Sequence, residues 1–352
     1  MKKHHLWTVL AIPAALGAFV YYRWRTSGFD WRKFLAALEG LDWSWMVLAL
    51  ALVLATYVGR TLRWEVMLRP MAPEARLGRI LVATIIGFTA VVLFGRAGEP
   101  VRPYLIARKE NVSFSSQLAA WVLERLLDML MVLVIFGVAL SQVSHSNIAL
   151  SPRINGILEA GGYAAGVTGL ICIALLIAMR QFRGRVRERL TGALEFLPRP
   201  LHIRVDAFLA AFEEGMRAIR SGAFVSMLLA YTAIEWAVIA GAFYCVFRAF
   251  PATAYFQPND VVIVLGFVAF GSILQIPGVG GGMQIATALV LTEFYGLTLE
   301  AASGIALVLW IVNFVSIVPV GLVLAFREGL EWSNLRHITT SAEETTADEA
   351  KS

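Results

Sequence analysis

The ionisable residues that could do chemistry in this chain lie inside long apolar stretches, where charges are unusual. Glu124, Arg125 and Asp128 fall within about one helical turn, and the two carboxylates share a helix face because they are four residues apart. Glu235 lies near the centre of the apolar block 224–247. Burying any one such group in a bilayer costs about 2.5–3.5 kcal/mol even on the lenient insertion scale. These residues must therefore pair with buried partners, take up protons, or line a polar cavity.

Two segments rich in glycine interrupt apolar blocks that are short for a bilayer crossing. The block 80–94 ends at the first segment, and the block 261–276 ends at the second before apolar residues resume to Leu297. Glycine and proline break helices, and in lipid a non-helical backbone is tolerated only where protein or a watery cavity satisfies it. The breaks therefore predict a cavity. They are formed by Gly95, Gly98, Pro100, Pro277, Gly278, Gly280 and Gly281.

The first break also carries charge, in Arg96, Glu99 and Arg102. Guanidinium groups beside exposed backbone amides suit a phosphate, although a cytoplasmic turn with ordinary arginines would have the same composition. Arg102 or Arg96 is also a natural counter-charge for the carboxylates of the 124–128 cluster. At the second break the candidate for the cavity is Gln284. Three further polar residues could each be only a hydrogen-bonding link between helices, namely Gln275, Glu293 and Asn313.

The composition of the 352 residues requires a membrane setting for these charges. Apolar residues make up 58% and charged residues 16%, and the mean hydropathy is +0.69, whereas soluble proteins are about 45–50% apolar and about 25% charged. The net charge of +5 does not indicate a nucleic-acid binder, because the arginines lie between the apolar blocks. Blocks long enough to span a bilayer are 6–22, which we expect to be an uncleaved first span, 43–62, 118–140, 161–179, 224–247 and 301–326.

The distribution of lysine and arginine predicts the sidedness of these spans. The loop after residue 179 is rich in arginine and is placed in the cytoplasm, as are both termini and the segment 60–79. Both flanks of the block 80–94 are then cytoplasmic, so that block must enter the membrane and return. The same reasoning makes 261–297 a hairpin that enters from the opposite face.

The predicted fold is therefore all-α, a polytopic transmembrane bundle of about six full spans plus two re-entrant hairpins. The order of elements repeats with inverted orientation, which suggests two inverted repeats, an architecture typical of transporters. We place the first membrane half at 1–140, with its hairpin at about 80–110. The second half is 141–326, with a cytoplasmic amphipathic helix at about 204–220 and a hairpin at about 261–297, and 327–352 forms a partly disordered cytoplasmic tail.

Three segments resemble the membrane domain of lysylphosphatidylglycerol synthases and its stand-alone, flippase-like relatives, over roughly 33–326. They are Gly98-Glu99-Pro100-Val101-Arg102 with Tyr104-Leu105, then Glu124-Arg125-Leu126-Leu127-Asp128, and Pro277-Gly278-Val279-Gly280-Gly281. The resemblance implies movement of a lipid between leaflets, with Glu99, Arg102, Glu124, Arg125 and Asp128 in the headgroup cavity. Two positions depart from the family pattern, Val279 for a glycine and Gln284 for a common glutamate.

We expect a membrane lipid flippase or transporter of the cell membrane that binds anionic or modified phospholipid headgroups. It would have no catalytic residue, cofactor, metal or nucleic-acid partner, and a homo-oligomer is compatible with the sequence. Only a short polar segment follows Phe326, so we do not expect the chain to carry out the synthesis that the family's soluble domain performs. The alternatives are an accessory or scaffold subunit of a cell-envelope lipid synthase and a membrane enzyme acting on a lipid phosphate. The sequence contains no DxD, HExxH, GxSxG or Walker pattern for such an enzyme.

Overall fold

A computed structural model describes residues 29–145, 152–181, 191–193, 199–215, 221–272, 275–276 and 280–329. These residues form twelve α-helices and one pair of two-residue strands, which confirms the all-α class. The helices are α1 (Trp31–Leu38), α2 (Trp43–Leu68), α3 (Leu77–Phe94), α4 (Val101–Glu110), α5 (Phe114–His145), α6 (Pro152–Gln181), α7 (Arg199–Gly215), α8 (Gly222–Ala249), α9 (Pro258–Gly271), α10 (Gly282–Glu293), α11 (Leu299–Asn313) and α12 (Val318–Arg327).

Six segments of the described chain are long and apolar enough to cross a bilayer, which confirms a polytopic membrane protein. Five of them correspond to predicted spans, while the predicted first span, 6–22, lies outside the described residues. The sixth is Leu77–Gly98, which contains the block predicted to be re-entrant. Its entry and return through one membrane face therefore stay a prediction, as they do for the second hairpin.

Both predicted helix breaks are present. The first is a 3₁₀ turn at Gly95–Gly98 between α3 and α4, and the second lies between α9 and α10, where Gln275–Ile276 pairs antiparallel with Gly280–Gly281. Each break contains a glycine at positive φ, +63° at Gly95 and +128° at Gly281, a conformation that side chains with a Cβ rarely adopt. The two breaks meet, because the backbone at 275–276 lies against the first turn. Pro277 and Gly278 lie outside the described residues.

The two halves of the chain pack through related pairs of helices. The most extensive contact joins α2 to α8, and these helices are antiparallel, since Asp42 N–H donates to the carbonyl of Ala249 at one end and Arg60 pairs with Glu235 further along. The contact between α3 and α12 corresponds to the contact between α9 and α5. The contact between α1 and α11 corresponds in the same way to the contact between α7 and α5. Exchanging the two halves thus maps these contacts onto one another. This pattern is what inverted repeats would give, and the repeat itself stays a prediction.

Three predicted segments differ in extent from the helices of the structure. Helix α2 continues to Leu68, past the predicted end at residue 62, because apolar residues continue the helical pattern beyond the arginines. The predicted span 301–326 is two helices, since the chain tightens into a 3₁₀ turn at Val315–Ile317 before α12. Pro319 lies in the first turn of α12, where its missing N–H leaves no hydrogen bond unmade. The amphipathic helix α7 begins at Arg199, and residues 216–220 of its predicted range are outside the described chain.

Candidate functional site

Seven charged side chains from four helices meet inside the bundle. Most of them are deeply buried, in helix segments that also pack against apolar neighbours. We call this group the buried charge network, and it consists of Arg60 and Arg63 from α2, Arg102 from α4, Glu124, Arg125 and Asp128 from α5, and Glu235 from α8.

Arg63 is the centre of the buried charge network. Its side chain is 1% exposed and contacts all three buried carboxylates, at 2.5 Å to Glu124 Oε1, 2.7 Å to Asp128 Oδ1 and 3.4 Å to Glu235 Oε2. Its Nη1 also donates to Thr232 Oγ1 at 3.0 Å. Arg63 thereby ties α2 to both α5 and α8. Removing such a cation would leave three buried carboxylates short of a partner, which is strongly destabilising.

Arg102 brings the tip of the first hairpin into the network. Its Nη1 donates to both oxygens of Glu124 at 3.0 Å, and its Nη2 donates to the carbonyl of Arg60 at 2.9 Å. The guanidinium lies 4.1 Å from the centre of the Trp64 ring, an arrangement that favours the cation. The close approach depends on Gly87 of α3, where an added Cβ would lie 2.5 Å from Arg102 Cβ. The side chain of Arg102 is therefore fixed by contacts with Glu124, Trp64 and the backbone of Arg60.

Glu235 is held less firmly than the other buried carboxylates. Its Oε1 lies 2.9 Å from Arg60 Nε, but that N–H makes no hydrogen bond, and Glu235 Oε2 receives none within the described residues. The Arg60 guanidinium lies over the Phe88 ring, 4.4 Å from its centre. The Arg60 side chain is 17% exposed while that of Glu235 is 2% exposed. Arg60 therefore forms one margin of the network, where it meets a more accessible region.

Arg125 forms the other margin. Its side chain is 39% exposed, and Nη2 lies 3.0 Å from Asp128 Oδ2 and 3.7 Å from Glu124 Oε1. Its Nε is buried and makes no hydrogen bond with the described part of the chain. Glu99, half-buried beside the first break, is close enough to act on Arg125 electrostatically. The four arginines are thus matched by four carboxylates when Glu99 is included.

Two carboxylates of the network lie well inside the helices that carry them. At 1.5 Å per residue, Glu124 is about 15 Å along α5 and Glu235 is about 20 Å along α8. Side chains at such depths cannot reach the helix ends. The network is therefore an interior feature of the bundle, beside the meeting point of α4 with α5.

The structure brings most of the predicted site residues together. Arg102, Glu124, Arg125, Asp128 and Glu235 are members of the network, and Arg102 is the counter-charge that the sequence predicts for the 124–128 cluster. Glu235 pairs with buried partners, one of the two alternatives left open for it.

Other predicted site residues serve different contacts. Arg96 is exposed on the first turn. Gln284 Oε1 accepts a hydrogen bond from Gly281 N–H at 2.8 Å and so stabilises the second break. Glu293 is exposed, and Asn313 Nδ2 donates to the carbonyl of Leu309 in its own helix at 2.9 Å. The side chain of Gln275 lies outside the described part of the structure.

The sequence interpretation missed Arg60 and Arg63. It assigned both to a cytoplasmic loop, because an arginine just after an apolar block usually marks sidedness. In the structure they lie within α2, and Arg63 is fully buried. Two signals could have found them: the helical spacing that puts both on one face, and the apolar residues that follow, Trp64, Val66, Met67 and Leu68.

The arrangement can bind an anion at its margins. Each guanidinium has five N–H donors and no acceptor, and the Nε atoms of Arg60, Arg63, Arg102 and Arg125 are buried without a hydrogen bond in the described structure. In the network as described, the more accessible arginines are Arg60 and Arg125. Planar guanidinium groups bind phosphate or carboxylate oxygens through paired hydrogen bonds.

Comparison with known proteins agrees with the resemblance seen in the sequence. The family model for the lysylphosphatidylglycerol synthase TM region matches residues 7–321. No curated protein and no solved structure shows significant similarity to the chain. The matched region contains both helix breaks and the whole buried charge network. This chain is a multi-pass membrane protein that belongs to the lysylphosphatidylglycerol synthase TM region family.

Proposed function

We propose that this protein moves a phospholipid or another polar lipid between the two leaflets of the cell membrane. The headgroup phosphate binds at the margins of the buried charge network, to the guanidinium groups of Arg60 and Arg125. The observation that carries the proposal is a set of partly exposed arginines with unused N–H donors deep inside a membrane-spanning bundle. Family membership supports a lipid-related function.

A buried donor without an acceptor is unfavourable in a network that serves only structure. Buried ion pairs cost desolvation energy, which is recovered only if the geometry is good and the remaining protons are satisfied. Arg102 comes close to this condition, since it makes three hydrogen bonds and stacks on a ring, and only its buried Nε makes no hydrogen bond with the described residues. Arg60 and Arg125 also have a buried Nε without a hydrogen bond, but their side chains are 17% and 39% exposed, so a ligand can reach their guanidinium groups. A phosphate oxygen would supply the missing acceptor.

This difference in exposure changes which arginines we assign to the phosphate. The sequence alone suggests Arg96 and Arg102, because both flank the first break. Arg102 already donates to Glu124 and to the backbone and is 5% exposed. It acts instead by fixing Glu124 and the tip of the first hairpin, so that Arg60 and Arg125 stay in position.

The meeting of the two helix breaks supports a path for the headgroup. A broken helix frees backbone groups that in lipid must be satisfied by protein or by water, and transporters use such discontinuous helices at their substrate sites. Here the two breaks contact each other, and Arg102 follows the first break directly. We propose that the hairpins separate to admit the headgroup, with both chain termini on the cytoplasmic side. No covalent step is part of this function.

Reconstitution into liposomes tests the proposal. Vesicles containing the purified protein and a trace of phospholipid with a fluorescent headgroup label are treated with a membrane-impermeant quencher. Movement between leaflets predicts loss of nearly all fluorescence, whereas protein-free vesicles keep the signal of the inner leaflet. The labelled lipids should cover anionic, zwitterionic and aminoacylated headgroups. Wild-type vesicles indistinguishable from empty ones with every lipid would reject the function and favour an accessory subunit of an envelope-lipid synthase.

Matched variants connect the movement to the network. Arg60→Gln should slow movement strongly, because it removes a phosphate ligand while keeping a polar side chain. Arg69→Gln is the control, since Arg69 lies just after α2, is 65% exposed and, among the described residues, forms an ion pair with Glu65 alone. If the two variants move lipid equally fast, Arg60 is not part of the site.

A further inference from the structure

We infer that Glu235 takes up a proton when an anionic phosphate binds to Arg60, so that lipid binding and proton binding are coupled. The inference rests on the proposed headgroup site and adds to it an ion that could drive transport. A phosphodiester is the ligand class considered, with one negative charge on its phosphate. The proton comes from water and ends on a carboxylate oxygen of Glu235.

The first argument is charge balance. In the described chain, the ion pairs and electrostatic contacts of Arg60, Arg63, Arg102 and Arg125 involve four carboxylates, those of Glu99, Glu124, Asp128 and Glu235. The free network is therefore close to neutral. A bound phosphodiester adds one negative charge to a poorly solvated site. An uncompensated buried charge is costly, and in proteins such a group usually changes its protonation instead.

The second argument identifies which carboxylate accepts the proton. Glu124 accepts hydrogen bonds from Arg63 and Arg102, and Asp128 accepts two from Arg63. Glu235 has only the Arg60 contact, which is poorly directed, and the 3.4 Å contact with Arg63, and its Oε2 receives no hydrogen bond from the described residues. Protonation of Glu235 therefore disrupts fewer hydrogen bonds than protonation of Glu124 or Asp128.

The third argument is that Arg60 connects the two events. Arg60 is both the nearest cation to Glu235 and one of the more accessible arginines of the network. A phosphate on its Nη atoms shares or takes the positive charge that now compensates Glu235. A carboxylate that loses its cation in a buried site binds a proton more readily.

Two of the other charged groups around Glu235 act in the same direction. From α2 it faces Arg60 and Arg63, and from α5 it is affected by the negative charges of Glu124 and Asp128. Arg63 is shared with both of those carboxylates, so it cannot replace Arg60. The two neighbouring negative charges further favour the neutral form of Glu235 once Arg60 is occupied.

Calorimetry on the purified full-length protein in detergent tests the coupling directly. Short-chain phosphatidylglycerol is titrated near pH 7 in buffers with different ionisation heats, and the slope of binding heat against ionisation heat gives the protons taken up. Wild type should take up about one proton per bound lipid. Glu235→Gln should still bind lipid with a slope near zero. Arg60→Gln, a second variant, should bind weakly and take up little, and elution as a single species confirms folding.

The outcomes are separable. Lipid binding by wild type without proton uptake, or equal uptake by Glu235→Gln, overturns the coupling and leaves the proposed function intact. No lipid binding by wild type rejects both. Glu65→Gln is the matched control, a partly buried carboxylate of α2 paired with Arg69, and it should keep the wild-type slope. Dimethyl phosphate, which lacks acyl chains, is a separate arm, and uptake with it but not with the lipid would assign the site to a free phosphodiester.

Discussion

The two halves of the bundle share an order of elements and a set of packing contacts but differ in what fills them. Helices α2, α4 and α5 of the first half, together with Glu235 of α8, form the buried charge network beside an apolar cluster. Elsewhere in the second half, α8, α9, α10 and α11 enclose aromatic and aliphatic side chains, among them Phe243, Phe247, Leu291 and Leu309. The same scaffold therefore accommodates either a dry core or a polar one.

This difference separates the requirements of folding from those of function. The apolar cluster shows that helices of this bundle pack well without buried charge, and replacing a buried ion pair by apolar residues is often neutral or stabilising. The network of the first half thus costs stability that packing alone does not require. Its position beside the first break, with accessible arginines at both margins, is what the proposed lipid site requires.

The largest expected effect comes from breaking the centre of the polar half. Arg63→Gln leaves Glu124, Asp128 and Glu235 without their shared cation, and we expect the free energy of unfolding to fall by about 3–5 kcal/mol. Thermal unfolding in detergent, followed by circular dichroism, measures the loss. A change no larger than that of Arg69→Gln would show that the three carboxylates do not depend on Arg63.

A smaller effect is expected from truncating the apolar half. Leu309 is fully buried in α11, and Leu309→Ala should cost about 2 kcal/mol or more through lost packing and the cavity left behind. Lipid affinity in the calorimetric titration should stay at the wild-type value. Reduced affinity at unchanged fold would mean that the apolar half also contacts the lipid.

The same glycine-to-alanine substitution in each of the two hairpins compares the two halves directly. An added Cβ at Gly87 would meet Arg102 Cβ at 2.5 Å, and one at Gly271 would meet Ala286 Cβ at 2.6 Å. Gly87→Ala and Gly271→Ala should each cost about 1–3 kcal/mol from overpacking. We expect only Gly87→Ala to weaken lipid binding as well, since it displaces the arginine that fixes Glu124. Equal lipid affinity in the two variants would contradict this.

The smallest effect is expected at charges outside the network. Glu65 and Arg69 form an i,i+4 pair near the end of α2, with Arg69 in solvent, and exposed pairs contribute little. Glu65→Gln should leave the unfolding temperature and lipid movement within error of wild type. A clear loss of movement would extend the site toward the end of α2.

Much of the fold could be predicted from the sequence, because bilayer spans and helix breaks are local properties. The apolar blocks locate α5, α6 and α8, and the glycines at 95 and 281 are at positive φ in the breaks where they were expected. The boundary errors at α2 and at α11 have one cause. A hydropathy pattern shows where apolar residues end, whereas a helix ends where its backbone hydrogen bonds do.

The candidate site was predicted in part for a related reason. Carboxylates such as Glu124, Asp128 and Glu235 are unusual within long apolar stretches, whatever packs against their helices. The sequence alone therefore identifies them. Arg60 and Arg63 are unusual only once they are buried, and an arginine near the end of a span is otherwise ordinary. Whether such a residue is buried depends on what packs against it, here α4 and α8.

The sequence by itself determined the class of the protein, the breaks in two of its helices, and the carboxylates that must be paired in an apolar setting. These follow from the cost of placing charge and unpaired backbone in lipid. Only the tertiary structure decided which arginines pair with which carboxylates, that Arg102 is buried against Glu124, and that Arg60 and Arg125 are the more accessible arginines at the margins. Those facts depend on distances between helices far apart in the chain, since an ion pair forms only where packing brings its two charges within about 4 Å.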